Sequence, residues 1–309
     1  MKRLNNYIFD NLLLESKTSV ETNNNEERRK ELEGWLKGKD YETYIDILNQ
    51  MLGDPKAKAL LVDGFGGELG DTKLTFNQTK LLVKTLKPCQ REIDVSKSIG
   101  HPLKKPESNI DTYYSKDKDG VMILGMPLIT FRNEYIIDGH HRWSQVYAFN
   151  PEAEMTVFNY DGPIASDQML KAVQGSIAAV KADETNENNG KLPSNKVKGQ
   201  NLFDKDWDKE AIIKYVKENA VPDIVDAYKK YHKELDTIDK VAEFIANNLM
   251  LLKANNTPVY GDKSPNRGDM PQTNKAGGDP NNSKTSMPDK EGSALNRLAT
   301  KKFVKGAVQ

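Results

Sequence analysis

Residues 127–149 read PLITFRNEYIIDGHHRWSQVYAF, and this stretch decides the fold. Pro127 to Phe131 is a short apolar run that predicts a strand. Arg132-Asn133-Glu134 is a turn, and Tyr135 to Ile137 is the returning strand. Asp138-Gly139-His140 makes a tight loop. From His141 the period changes from two to 3.6, with Trp143, Val146 and Tyr147 at i, i+3 and i+4, which predicts a helix over 141–149. A strand, a glycine loop and a helix in this order direct unpaired backbone N–H groups and the positive end of a helix dipole at one point. An anion, above all a phosphate, is the natural ligand there. Gly139 allows close backbone approach, while His140, His141 and Arg142 bring cationic or hydrogen-bonding side chains to the same place. The plainer reading is an Asp-Gly turn with exposed histidines. Against it, the loop gathers two of the four histidines in the chain together with Arg142 and Trp143.

Outward from this centre, the runs ALLVDGF, KLLVKTL and MTVFNY are further strand candidates between about 58 and 180, and a second helix is predicted over 166–181. A helix over 41–52 has Asp40 as N-cap and Gly53 as C-cap. From 208 to 254 the chain turns helical: Pro222 opens a second helix, and Ile238, Val241, Ala242, Ile245, Leu249 and Leu252 form the stripe of a third. The organisation expected is an amphipathic helix at 1–15, a polar linker with the start of a helical region at 16–39, and an α+β region at 40–181. A linker at 182–207, a helical region at 208–254 and a disordered tail at 255–309 complete it. The tail carries five Pro and six Gly, with nine Lys/Arg against five Asp/Glu beyond Asn255. It has too little apolar surface to offset chain entropy.

Over all 309 residues, 45 basic and 45 acidic side chains cancel, which excludes a uniformly basic nucleic-acid coat. One cysteine, Cys89, excludes a disulfide framework and a cysteine zinc site, and fits a reducing compartment. No apolar run approaches the roughly 18–20 residues that span a membrane, and the N-terminus lacks the pattern of a secretory signal. Of the weaker signals, GFGGELG at 64–70 lacks the Lys-Ser/Thr ending of a P-loop and reads as a glycine turn. His101 lies in a solvated HPLKKPESN segment, His232 reads as a surface residue, and Trp35 and Trp207 read as packing anchors.

At the DGHHR loop the chain resembles the ParB/sulfiredoxin-like superfamily, the ParB-like nuclease domain. Upstream, Pro88-Cys89-Gln90-Arg91-Glu92-Ile93 resembles that family's first motif, and Lys97-Ser98 matches the Lys-Ser pair that follows in some members. The likeness covers about residues 80–160. It implies a small mixed-sheet core at about 80–160, so that with the flanking helices and the disordered C-terminal tail the fold expected is α+β. It implies a phosphate or nucleotide site made of Gly139, His140, His141, Arg142, Lys97 and Ser98. Glu92, Asp138 and His141 are the implied catalytic residues, with Glu92 at the position of the carboxylate in kinase-like members. The cofactors implied are a nucleotide (ATP, ADP or CTP) and Mg²⁺, which Asp138 and Glu92 would share. Sulfiredoxins carry a reactive Cys where this loop has His, so sulfiredoxin chemistry is not expected. Residues 208–254 lack the Arg, Asn and Gln cluster of a DNA-recognition helix.

The N-terminal stretch MKRLNNYIFDNLLLES resembles the leader of proteins packaged in the heads of tailed bacteriophages. Leu13-Leu14-Glu15 is the candidate processing site, with cleavage after Glu15; the alternative is a helix docked on the main domain. Two functions are therefore expected. One is a phage-encoded nucleotide- or phosphate-binding protein acting as a phosphotransferase, phosphohydrolase or nuclease on a nucleotide or phosphorylated small molecule. The other is a non-catalytic virion or internal head protein that binds DNA backbone or other proteins. The expected location is the host cytoplasm or the virion interior, without a membrane partner.

Overall fold

The computed structural model describes residues 44–55, 57–59, 74–115, 120–183, 200–255, 264–267, 288, 291 and 293–300. The expected helix at 1–15, its Glu15 site, the linker at 16–39, Asp40, Trp35, the ALLVDGF strand candidate beyond Ala59 and GFGGELG lie outside these residues. The chain divides into two compact units, one formed by Asn77–Tyr160 with Lys196–Arg267, the other by Met1–Phe76, Asp161–Asn195 and Gly268–Gln309.

The strands are β1 (Thr75–Leu82), β2 (Lys87–Pro88), β3 (Leu128–Phe131), β4 (Tyr135–Asp138) and β5 (Glu154–Asp161). They form one mixed sheet in the order β1-β5-β3-β4-β2. Strand β3 runs antiparallel to β4 and parallel to β5, and β2 runs parallel to β4 with Pro88 opposite Ile136. This is an α+β fold with a mixed sheet. The 132–134 hairpin forms with Arg132 and Asn133 both in the left-handed region, at φ 54° and 57°. Two consecutive left-handed residues match the twist of the paired strands, a geometry in which Asn is readily accepted and Arg is strained. The Asn159 side chain holds the turn, its Oδ1 accepting from the Asn133 amide and from the Thr130 hydroxyl.

Helices in the same unit are α2 (His101–Lys104), α3 (Pro106–Tyr113), α4 (His140–Phe149), α6 (Lys209–Asn219), α7 (Ile224–Lys229) and α8 (Ile238–Asn255). Helix α4 is buried along its whole length from Trp143 to Phe149. Helix α8 lies along it and seats the Val241, Ala242, Ile245, Leu249 and Leu252 stripe in the core. The Asn248 amide donates to the Ala148 carbonyl at 3.0 Å, fixing the two helices together. The 208–254 helices are thus part of the sheet unit and not a separate region. Pro222 lies two residues before α7, which starts at Ile224. The KLLVKTL run is strand as far as Leu82 and then a tight 3-10 turn at Val83–Thr85.

In the second unit, α1 (Tyr44–Gly53) and α9 (Ala294–Thr300) both contact α5 (Ser166–Asp183). Leu48, Met51, Met169, Ala172, Leu295 and Leu298 are buried. Helix α9 corrects the expectation of a disordered tail over all of 255–309. Leu295 and Leu298 stand three apart on one face, and Ser293 caps the first turn by accepting from the Asn296 amide at 2.9 Å. A seven-residue helix with two leucines is too short to register in the composition of the tail. A second ordered piece of the tail, Ser264–Arg267, belongs to the site.

Candidate functional site

Between β4 and α4 stands Gly139 at φ +98°, a conformation closed to most side chains. A Cβ here would also stand 2.6 Å from Leu128 Cδ2 and 3.0 Å from Arg142 Nη2. The α4 ladder begins when the Trp143 amide donates to the Gly139 carbonyl at 2.9 Å. The amides of His140, His141 and Arg142 have no acceptor among the described residues. Trp143 roots the helix below them, fully buried and donating Nε1–H to the Val83 carbonyl at 2.8 Å.

Arg142 turns back onto its own loop. Its Nη1 donates to the Met126 and Pro127 carbonyls at 2.8 and 2.9 Å, and its Nη2 pairs with Asp138 Oδ2 at 2.8 Å. With 14% of its side chain exposed, Arg142 is a clamp that holds Asp138 and the loop against the 126–127 turn.

The two histidines are acceptors. His140 Nε2 takes the Cys89 amide at 3.0 Å, and His141 Nε2 takes the Asp94 amide at 2.9 Å. Burial, reinforced by the Arg267 and Arg142 charges, pushes the His140 pKa down to about 3. Burial together with Arg267 and Lys97 holds His141 well below the ordinary histidine range. Both rings are therefore neutral near pH 7, and of the two roles expected, cationic or hydrogen-bonding, they take the second. They join the DGHHR loop to the Pro88–Asp94 segment. The parallel pairing of β2 with β4 brings that segment alongside.

Past this segment, Asp94 Oδ1 accepts from the Ser96 amide at 3.0 Å, the Ser96 hydroxyl at 2.6 Å and the Lys97 amide at 3.3 Å. It thereby caps a π-turn over Ser96–Gly100. Ser98, expected at the ligand, is buried, with its hydroxyl on the Asp94 carbonyl and 2.7 Å from Ser144 Oγ. It joins the turn to α4. The Lys97 side chain is exposed, and its charge reaches His141. Asn201 fixes the first motif from the other side: Oδ1 accepts from the Ile93 amide at 2.9 Å and Nδ2 donates to the Arg91 carbonyl at 3.3 Å.

Glu92 and the loop meet at Arg267. The Arg267 amide donates to Glu92 Oε2 at 2.8 Å, and its Nη1 stands 2.7 Å from His141 Nδ1. The Arg91 amide donates to the Pro265 carbonyl at 3.0 Å, and Ser264 is buried, so Ser264–Arg267 is a strap across the site. Burial lowers the Arg267 pKa, while the Asp138, Asp94 and Glu92 carboxylates pull it back up. Glu92 Oε1 has no hydrogen-bond partner among the described residues. Sequence reasoning missed both Arg267 and Asn201. Arg267 is one basic residue in a Pro/Gly-rich stretch, and nothing in its local pattern marks it.

Elsewhere, His101, Lys104 and Lys105 are exposed, and Trp207 is buried edge-on to Tyr215. His232 is not simply a surface residue. Its Nε2 pairs with the Tyr114 hydroxyl at 2.8 Å, and its ring lies against Tyr114, Tyr228 and Phe244. It stands in the turn after α7, which folds it back onto α3 and α8. Among the described residues no three His, Cys, Asp or Glu side chains converge as a metal-binding group, and no helix is long and apolar enough to cross a membrane. Comparison of the chain with protein-family models, with curated proteins and with solved structures finds no match.

Proposed function

We propose that the Asp138–Arg142 loop is the phosphate-binding element of a ParB-like domain, and that the protein transfers or hydrolyses a phosphoryl group carried by a nucleotide or a phosphorylated small molecule. One observation carries the reading. One residue, Arg267, contacts both Glu92, through its backbone amide, and His141 at the start of α4, through its guanidinium. The unpartnered amides of His140, His141 and Arg142 receive the phosphate oxygens, and they stabilise charge that grows on those oxygens as the reaction proceeds. Glu92 Oε1 accepts the proton of an attacking hydroxyl or water. That oxygen bonds to phosphorus while the leaving oxygen departs with its electron pair. His141 orients the phosphate as a neutral ring, and Arg142 keeps Asp138 and the loop in place.

Mg²⁺ prefers carboxylates joined by phosphate oxygens and water. Here Asp138 Oδ2 is paired with Arg142 and Glu92 Oε2 with the Arg267 amide. Two carboxylates, each hydrogen-bonded through one oxygen, are too few to hold an ion by themselves, and Mg²⁺ would enter with the nucleotide as part of the substrate.

The test is a thermal-shift and turnover panel of ATP, ADP and CTP with and without Mg²⁺, run on wild type and Glu92→Gln. The expected result is a ligand-dependent shift in both proteins and turnover in wild type alone. No shift with any phosphate compound removes the reading. A second reading is favoured by the Arg142 clamp, which ties the loop to itself: a non-catalytic phage virion or internal head protein in which the loop contacts DNA backbone or other proteins. Binding of duplex DNA without nucleotide turnover, together with a mature N-terminus at Ser16 in phage particles, selects it.

A further inference from the structure

A neutral imidazole has one N–H and one acceptor nitrogen. His141 meets two groups that can only donate, the Asp94 amide at Nε2 and the Arg267 guanidinium at Nδ1, at 2.9 and 2.7 Å. One of these contacts therefore sets a donor against a donor. The Asp94 side is the fixed one: Asp94 is fully buried, bridges Asn201 and caps the π-turn. Nε2 is then the acceptor, and Nδ1 carries its hydrogen toward Arg267. The Arg267 head stands at the end of a long side chain on a short strap, drawn in by the carboxylates of Asp138, Asp94 and Glu92. Donors converging on one point are the arrangement that surrounds an anionic oxygen.

We propose that His141 and Arg267 form a clasp for a phosphoryl oxygen, which seats between Nδ1–H and the guanidinium and accepts from both. The proposal rests on the phosphate-binding reading of the 138–142 loop and adds to it a ligand residue from the C-terminal segment. With each N–H···O contact about 2.9 Å long, the two nitrogens part to roughly 5 Å. The guanidinium therefore withdraws by about 2 Å, a rotamer change that leaves the Arg267 amide on Glu92. The strap thus sets the clasp and the carboxylate that acts on the nucleophile on one residue. Arg suits this role through its planar set of donors, which Lys reproduces as a point charge alone.

The experiment uses the full chain and inorganic pyrophosphate. Nitrogen-15 NMR of labelled histidine reads the His141 tautomer, and calorimetry reads affinity for wild type, Arg267→Ala and Arg267→Lys. The expected results are an Nδ1–H tautomer, an Nδ1 shift on adding pyrophosphate, at least tenfold weaker binding for Arg267→Ala, and partial recovery with Arg267→Lys. An Nε2–H tautomer overturns the clasp, because Nδ1 then accepts from Arg267 directly. Equal binding by Arg267→Ala overturns it while the phosphate-loop reading stands. Tighter binding makes the strap a plug and overturns it too. If wild type binds neither pyrophosphate nor any nucleotide, the phosphate-loop reading falls and the clasp with it.

Discussion

Acid should loosen the sheet unit through its buried histidines before it acts on the carboxylates. His140 is held neutral to about pH 3 in the fold, whereas an unfolded chain protonates it near 6.5. Its folded pKa is depressed, so below 6.5 the unfolded state binds a proton that the folded state refuses. Stability is therefore full above about pH 6.5 and falls as the pH drops toward 3. Each pH unit is worth about 1.4 kcal/mol, so at pH 4.5 His140 alone removes roughly 3 kcal/mol, a large part of an ordinary domain's stability. His141 acts in the same direction. The lowered carboxylates Glu134, Glu234 and Asp236 lose their contribution at lower pH, as the solution falls through the carboxylate range, which leaves 4.5–6.5 to the histidines. The perturbation is His140→Gln, whose side-chain oxygen still accepts from the Cys89 amide and does not titrate. Urea denaturation at pH 7.5, 6.5, 5.5 and 4.5 should give a steeper loss for wild type than for the variant, and the His140 ring signal in NMR should not titrate above pH 4.5. Parallel stability curves, or a His140 midpoint near 6.5, would refute the reasoning.

Trp143→Ala removes a fully buried ring and its bond to Val83, and should cost about 3–5 kcal/mol in a thermal or urea melt. Gly139→Ala meets both the left-handed φ and the Leu128 methyl. It should lose about 1–2 kcal/mol from the backbone alone, more from the clash, and should weaken phosphate binding measured by calorimetry. Leu298→Ala should destabilise the helical unit by about 2–5 kcal/mol and speed amide exchange in 294–300, whereas an unchanged exchange rate there would count against the packing of α9 on α5.

Local pattern by itself determined the centre of this protein. The change from period two to 3.6 across Gly139, the turn at 132–134 and the apolar stripe of α8 are properties of neighbouring residues, and each emerges as its own element. The meeting of Pro88–Glu92 with the 138–142 loop was expected only from the resemblance, and the pairing of β2 with β4 brings the two together. Tertiary structure decided what the side chains do. His140 and His141 read as cations or as hydrogen-bonding groups, and burial against the Cys89 and Asp94 amides, 51 and 47 residues away, makes them neutral acceptors. Arg142 reads as a hand for the ligand and is the clamp of its own loop, since the 126–127 carbonyls are in reach. Arg267 lies 175 residues from Glu92 and 126 from His141, in a stretch whose composition argues against order. Periodicity reports what a residue's neighbours need. A contact between distant segments depends on which surfaces the finished fold leaves with charge or hydrogen bonds to satisfy, and here Arg267 meets the Glu92 carboxylate and the His141 ring.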